Sequence, residues 1–246
     1  MTTAPEQLAL GVGLSSGSTF ADFHGEAQPE ALALAERLAL RTDYPIACLW
    51  GAAETGKTHL LQAACRAAIG AGRTAAYLPL ADAGYLDPAL LNGWDRFELV
   101  CVDDVDRIAG QPRWEGALFT LFNALHESAG TLLAAARTPP AGADWTLADW
   151  QSRLAWGPVV RLAPLDDAAR LAILRLRASR RGLKMPDEVA GFLLHRAPRD
   201  LISLMRLLDR LDQASLALQR RLTIPLVKEV LERGSGFGIR DSGKPT

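Results

Sequence analysis

The stretch that decides the fold reads GAAETGKT, residues Gly51-Ala52-Ala53-Glu54-Thr55-Gly56-Lys57-Thr58. It fits the pattern G-x-x-x-x-G-K-[ST] and stands between an apolar run that ends at Trp50 and a helical pattern that begins at Lys57. In such a loop the backbone N–H groups surround a phosphate, and the start of the helix adds partial positive charge. The sequence therefore predicts a nucleotide-binding loop in which Lys57 reaches the outer phosphates and the Thr58 hydroxyl holds Mg²⁺.

A second pattern agrees with this loop. The apolar run Leu99–Val102 leads directly into Asp103 and Asp104. Two adjacent carboxylates at the end of a buried strand are costly unless a cation meets them. We therefore expect Asp103 to bind Mg²⁺, directly or through water, and Asp104 to orient an attacking water.

Short apolar runs alternate with helical patterns through the first two thirds of the chain. The runs predict buried strands at Ile46–Trp50, Ala75–Leu80, Leu99–Val102, Thr131–Ala135 and Val159–Leu162. The helical patterns cover Pro29–Leu40, Lys57–Ile69, Trp114–Ser128 and Leu147–Leu154. Such alternation predicts an α/β fold, in which a parallel sheet is flanked by crossover helices.

After Pro164 the sequence becomes helical throughout. Helical patterns follow one another at Asp166–Arg181, Pro186–His195, Arg199–Arg220 and Ile224–Arg233. We therefore expect four parts: a flexible arm (1–19), a nucleotide-binding subdomain (20–164), a small all-helical lid (165–234) and a flexible tail (235–246).

Charge is divided unevenly between these parts. Residues 1–150 carry 9 Lys/Arg against 18 Asp/Glu, whereas residues 151–234 carry 16 against 9. The basic part could face nucleic acid, a phosphorylated ligand or the acidic lobe of a neighbour. The sequence has no membrane span and no secretory signal, and its three cysteines indicate a reducing, cytoplasmic setting.

Two arginines in this basic part are candidates for nucleotide chemistry. Arg153 lies in SRLAWG just before the last predicted strand, and Arg199 follows Pro198 at the start of a long helix. Phosphoryl transfer needs positive charge near the γ-phosphate, which an arginine supplies in cis or from a neighbouring subunit. From residue chemistry alone, a surface ion pair is the better explanation for each arginine.

Several motifs together resemble a known family. They are GxxxxGKTHLLQA after a strand, an apolar strand followed by DDVDRIAG, SRLAWGPVVRLAPLDD, and a lid helix that opens with PRDLISLMRLLDRLD. The chain resembles the AAA+ ATPase domain of the bacterial replication initiator DnaA over residues 4–233, and more closely the Hda family of DnaA regulatory inactivators. DnaA continues into a helix-turn-helix domain that reads DNA. No such region follows the lid here, so the resemblance favours Hda, and we expect no sequence-specific DNA binding.

The resemblance implies roles for single residues. Arg153 corresponds to an arginine finger that acts in trans, and Arg199 to a sensor that reaches bound nucleotide from the lid. Phe20 and Phe23 match an entry motif near the adenine site, although core packing explains them equally well. At the end of the fourth strand the family often has a polar sensor, whereas this chain has alanines up to Arg137. We therefore expect little or no hydrolysis of ATP by the protein alone.

The N-terminal arm contains the sequence QLALGV. Gln7, Leu8, Leu10 and Val12 match the peptide with which Hda proteins bind the sliding clamp of DNA polymerase, and Gly11 stands where proline is often found. An extended arm can insert a glutamine and apolar side chains into a partner's pocket. The alternative is that these residues dock on their own domain.

The resemblance thus implies a negative regulator of replication initiation that binds ADP or ATP with Mg²⁺. It would sit on the clamp and stimulate hydrolysis of the ATP held by DnaA. The alternatives are a self-sufficient AAA+ ATPase, such as a helicase loader, and a DNA remodeller that uses the basic lid. The sequence leaves open whether the protein is a monomer or a homo-oligomer. The four histidines have no metal-ligand spacing and are interpreted as structural or surface residues. His59 directly follows Thr58 on the first turn of the predicted helix after the loop, and for that reason it is included among the predicted nucleotide-binding residues.

Overall fold

A computed structural model describes residues 17–41, 43–81, 83–196 and 200–235, with the side chains of 233–235 excepted. The chain divides between Pro164 and Leu165 into two compact units. None of the helices in the described ranges is long and apolar enough to cross a membrane.

The first unit is built on a sheet of five strands that all run parallel. In the sheet they follow one another in the order β2-β3-β4-β1-β5. Their bounds are β1 Ile46–Trp50, β2 Ala75–Pro79, β3 Leu99–Asp103, β4 Thr131–Ala136 and β5 Val159–Arg161. The predicted α/β fold with a parallel sheet is confirmed.

Helices cover both faces of this sheet. They are α1 Pro29–Leu40, α2 Lys57–Gly70, α3 Pro112–Glu127 and α4 Ala148–Leu154. Strand β1 shows how the two layers form, because Ile46 and Cys48 enter the core on the α3 and α4 side, whereas Ala47 and Leu49 enter the core on the α1 and α2 side. Apolar residues on both faces of a strand are the pattern of a parallel sheet buried between helices.

Strand β5 departs from the prediction of a fully buried strand. Val159 and Arg161 are exposed and Val160 is partly buried, whereas β1 to β4 are almost entirely buried. The physical reason is its place at the edge of the sheet, where it pairs with β1 alone. The observed strand also ends at Arg161, one residue before the predicted end at Leu162.

The start of β5 lies unusually close to β1. The Cys48 N–H donates to the Pro158 carbonyl at 2.9 Å. A Cβ atom placed on Gly157 would lie 1.7 Å from the Ile46 carbonyl oxygen. Only glycine fits at this position, because the obstacle is backbone rather than a movable side chain.

The segment that leads into α4 is held by one buried carboxylate. Glu115 of α3, with no exposed surface, accepts hydrogen bonds from the N–H groups of Gly110 (2.8 Å), Thr146 (3.2 Å) and Leu147 (2.7 Å), and from the Thr146 hydroxyl (3.0 Å). Burial alone raises the pKa of Glu115, but these bonds outweigh it and hold that pKa below its usual range. Glu115 therefore fixes the entry of α4, the helix that carries Arg153.

The second unit consists, in its described residues, of four helices around their own apolar core. They are α5 Asp167–Arg180, α6 Asp187–Arg196, α7 Leu201–Leu218 and α8 Ile224–Ser235. Asp166 caps α5 by accepting from the Ala169 N–H at 2.7 Å, and Asp200 caps α7 by accepting from the Ser203 N–H at 2.7 Å. The core contains leucines and valines from all four helices, including Leu174, Val189, Leu204 and Val227.

Candidate functional site

The loop Gly51–Thr58 joins β1 to α2 as the sequence predicts. Gly51, Glu54 and Gly56 have positive φ angles of 155°, 65° and 100°. A backbone with positive φ favours glycine. At Gly51 a side chain is also excluded sterically, because an added Cβ would lie 2.4 Å from the Leu162 carbonyl oxygen. The loop therefore leaves the carboxyl edge of the sheet, where the strands end, and turns directly into the first turn of α2.

Lys57 lies at the centre of this loop. Its ammonium donates to the carbonyl oxygens of Gly51 and Ala52, each at 2.6 Å, and the residue is buried. Burial lowers the pKa of Lys57, while the nearby charges of Asp103 and Asp104 act in the opposite direction. A lysine held here is well placed to meet an anion that enters the loop.

Asp103 ends β3 beside the loop, and each of its carboxylate oxygens accepts a hydrogen bond. The Thr58 hydroxyl donates to Oδ2 at 2.6 Å, the Tyr77 hydroxyl donates to the same oxygen at 2.9 Å, and the Asp104 N–H donates to Oδ1 at 3.1 Å. Burial raises the pKa of Asp103, although the bonds from Thr58 and Tyr77 favour the ionised form. Burial, reinforced by the charge of Asp103, also raises the pKa of Tyr77, so Tyr77 is a donor here.

Asp104, the residue directly after β3, has a left-handed backbone (φ 53°). Its carboxylate lies 3.8 Å from the Arg137 guanidinium, and the Arg137 N–H donates to Asp106 at 3.1 Å. Arg137 follows the last residue of β4, Ala136. The end of β4 is thus alanine, as the sequence already showed, and the next residue, Arg137, pairs with Asp104, the carboxylate predicted to orient water.

The residues that could hold Mg²⁺ are the Thr58 hydroxyl and the Asp103 carboxylate. Both offer hard oxygen ligands, which this cation prefers. In the described part of the chain, no group of three or more His, Cys, Asp or Glu residues could hold a metal by itself. A metal at this site would therefore need phosphate oxygens as further ligands, as is usual for Mg²⁺ bound with a nucleotide.

The entry motif around Phe20 and Phe23 packs against the loop and α2. An added Cβ on Gly56 would meet the Phe23 ring at 2.7 Å, and the rings of Phe23 and His59 lie 5.6 Å apart. His59 Nε2 lies 2.7 Å from the Thr19 carbonyl oxygen. Both phenylalanines contact the core on the α1 and α2 side, so their packing role is present whether or not they also meet a ligand.

Arg153 lies near the amino ends of the strands, whereas the loop lies at their carboxyl ends. It is near the end of α4, four residues before Gly157, which touches the first residue of β1. Its guanidinium lies over the rings of Trp156 and Phe122, at 4.6 and 5.6 Å from their centroids, and Trp156 is 52% exposed. Among the residues that the structure describes, no carboxylate pairs with Arg153.

Some predicted residues fall outside the described ranges. These are Arg199 and the four residues of the clamp-binding peptide, Gln7, Leu8, Leu10 and Val12.

Sequence reasoning missed Tyr77 and Arg137 as neighbours of the two acids. A signal was present for Tyr77, because a tyrosine inside the otherwise apolar strand AAYLP needs a partner for its hydroxyl. The partner could not be read from the sequence, since it depends on which strand lies beside β3.

The first unit has five parallel strands and a loop of this type at their carboxyl ends, and a separate helical unit follows it. This combination is the fold of an AAA+ protein. Domain III of the replication initiator DnaA from Thermotoga maritima is similar at a TM-score of 0.71 and 20% identity, over 89% of this chain and 97% of that one. AMPPCP-bound DnaA from Aquifex aeolicus gives 0.68 and 26%, over 80% and 66%. The RuvB Holliday junction branch migration motor of Thermotoga maritima gives 0.64 and 15%, over 86% and 69%.

The helical unit indicates which group of AAA+ proteins the chain resembles. Residues 167–231 match the family model of the Hda lid domain. Together with the DnaA neighbours, this match confirms the resemblance to the Hda and DnaA-like AAA+ proteins.

Proposed function

We propose that this protein is a nucleotide-bound regulator of replication initiation, which stimulates hydrolysis of the ATP held by DnaA by supplying Arg153 in trans. The observation that carries the proposal is the separation of Arg153 from the loop of its own chain. Strands rise about 3.3 Å per residue, so the five residues of β1 separate the two edges of the sheet by about 17 Å. That distance is beyond the reach of one arginine side chain, which supports a role for Arg153 at a nucleotide held by another molecule.

The chemistry of Arg153 suits that task. A guanidinium over two aromatic rings, with no carboxylate partner in the described residues, keeps its charge and its N–H donors available to a phosphate. Phosphoryl transfer spreads negative charge over the γ-phosphate oxygens, and an arginine supplied by a second protein stabilises it by roughly 10³–10⁵ in rate.

The loop of this chain would hold its own nucleotide, ADP or ATP. The backbone of Gly51–Thr58 surrounds the phosphates, Lys57 meets their outer charge, and Thr58 with Asp103 holds Mg²⁺ when it is bound with the nucleotide. His59 belongs to this set by position, and Arg199 would reach the nucleotide from the lid, as the resemblance implies. The AMPPCP-bound DnaA neighbour supports nucleotide binding on this fold.

Hydrolysis of its own nucleotide would be weak. Asp104, the residue expected to orient water, pairs with Arg137, and the sensor position holds Ala136. A self-sufficient ATPase, such as a helicase loader, is the second candidate, because Thr58, Asp103 and Asp104 are all in place. Phosphate release by the pure protein at rates typical of a motor would favour that candidate.

The arm would bring the regulator to its place of action. Gln7, Leu8, Leu10 and Val12 would bind the sliding clamp, so that this protein meets DnaA on DNA that carries the clamp. DnaA and the clamp are the proposed partners.

The test is hydrolysis of DnaA-bound ATP in the presence of DNA-loaded clamp. We expect Arg153→Ala to fold and bind ADP normally but to lose the stimulation. Arg96→Ala is the matched control, because Arg96 also lies over an aromatic ring (Phe97, 5.4 Å) just before a strand, β3, far from β5 in the sheet. Full stimulation by Arg153→Ala, or an equal loss in both variants, would contradict the assignment.

A further inference from the structure

A chain of buried polar groups leads from the N-terminal segment to Asp103. The Ser18 hydroxyl donates to the Gln62 side-chain oxygen at 2.8 Å. Gln62 in turn hydrogen-bonds to the Tyr77 hydroxyl, which donates to Asp103 Oδ2 at 2.9 Å. All four residues are buried, with exposed fractions of 7% or less.

Three different elements place these groups side by side. Gln62 lies one helical turn after Thr58 on α2, so both project from the same face of that helix. Tyr77 pairs in register with Cys101, two residues before the pair Pro79 and Asp103, so Tyr77 and Asp103 share one face of the sheet. That face packs against α2.

The hydrogen bonds that link Ser18 to Asp103 all donate in the same direction, toward Asp103. Because Ser18 donates to the amide oxygen of Gln62, the NH₂ group of Gln62 is left to face Tyr77. Because the phenol oxygen of Tyr77 accepts from Gln62, its proton is directed to Asp103. Hydrogen bonds that run in one direction polarise one another, and a buried network with every member satisfied is rigid.

We propose that Tyr77, held by Gln62 and Ser18, is a positioning residue for the divalent cation that accompanies the nucleotide. The inference rests on the proposed nucleotide function. Asp103 Oδ2 accepts from both Thr58 and Tyr77. These two donors fix the rotation of the carboxylate, and with it the direction in which Asp103 offers an oxygen to a metal. Outer hydrogen-bond partners of metal ligands are commonly responsible for about 10- to 100-fold in metal affinity.

The experiment measures binding of a fluorescent ADP analogue at increasing Mg²⁺ and, separately, in EDTA. Tyr77→Phe removes the hydroxyl and keeps the ring. We expect it to raise the Mg²⁺ concentration for half of the metal-dependent gain by about tenfold, with the affinity in EDTA unchanged. Gln62→Leu should shift the same midpoint in the same direction by less. Tyr85→Phe is the matched control, because Tyr85 is 93% exposed, and it should change nothing.

The outcomes separate the inference from the function on which it rests. If Tyr77→Phe and Gln62→Leu lower thermal stability but leave the Mg²⁺ midpoint unchanged, the network is merely structural and the inference is wrong. If Tyr77→Phe does not fold, Gln62→Leu alone decides between these results. If the wild-type protein binds no ADP at any Mg²⁺ concentration, the proposed function itself fails, and the inference with it.

Discussion

The contact between Gly157 and Ile46 gives the sharpest prediction about how Arg153 is positioned. In Gly157→Ala the new methyl group would lie 1.7 Å from the Ile46 carbonyl oxygen, and ordinary contact begins at 3.4 Å. The backbones of β1 and the segment before β5 would have to separate by about 1.7 Å. That movement would strain the hydrogen bond from the Cys48 N–H to the Pro158 carbonyl and the pairing of β5 with β1.

The cost follows from these distances. Overpacking a close-packed site costs about 1–3 kcal/mol, occasionally more, and here the obstacle is backbone on both sides. We therefore expect a loss of about 3 kcal/mol in the free energy of unfolding of the first unit. For a chain of this size such a loss lowers the midpoint of thermal unfolding by roughly 6–12 °C. Trp156, whose ring contacts Arg153, precedes Gly157, so stimulation of DnaA should fall as well.

The assay is thermal unfolding followed by circular dichroism, with Gly116→Ala as the control. Gly116 lies inside α3 with no atom within 4 Å of an added Cβ, so alanine there should stabilise the protein by about 0.5–1 kcal/mol. If Gly157→Ala melts within about 2 °C of the wild type, the close approach of β5 to β1 is wrong, and so is the reasoning that fixes Arg153 through it.

Three further predictions concern the loop, the support of α4 and the arm. Lys57→Ala should abolish the stabilisation that ADP gives the wild type, about 2.7 kcal/mol in the free energy of unfolding at 100 times Kd; calorimetry that finds unchanged ADP affinity would contradict the loop assignment. Glu115→Gln should cost about 1–3 kcal/mol at pH 7, because an amide cannot accept all four donors. Since the folded pKa of Glu115 is lowered, its contribution is full above the unfolded pKa of about 4.3 and disappears as the pH falls through the lower folded value. The gap between wild type and variant in urea titrations should therefore narrow once the pH falls below the unfolded pKa and close below the folded pKa; a gap that stays constant down to the acid limit would refute this. Deletion of residues 1–12 should leave the melting temperature unchanged and abolish clamp binding on a sensor surface, and native clamp affinity would show that the contact lies elsewhere.

Local chemistry made much of the fold predictable. Pro29 at the first turn of α1 and the glycine-rich turn before Lys57 set helix starts that the structure reproduces. Strand β3 was found because apolar residues on both faces run into Asp103, which the structure places as the last residue of the strand. These features depend on neighbours in the sequence, so the sequence carries them.

Features that depend on pairing between distant segments were not predictable. The sheet order places β2 beside β3 and thereby brings Tyr77 to Asp103, and no local pattern encodes that order. The exposure of β5 follows from its edge position in the same order. The pairing of Arg137 with Asp104 likewise required the ends of β3 and β4 to be adjacent.

The central claim is that Arg153 acts on a nucleotide held by another molecule, and one single-turnover measurement tests it most directly. DnaA is loaded with ATP labelled on the γ-phosphate, freed of unbound nucleotide, and mixed with this protein in its ADP form and with DNA-loaded clamp. Because every labelled phosphate then starts on DnaA, release above the rate of DnaA alone reports stimulation in trans. We predict rapid release with the wild type, and release at the rate of DnaA alone with Arg153→Ala or Arg153→Lys, since a point charge does not replace the planar guanidinium. Release by Arg153→Ala at the wild-type rate would contradict the claim.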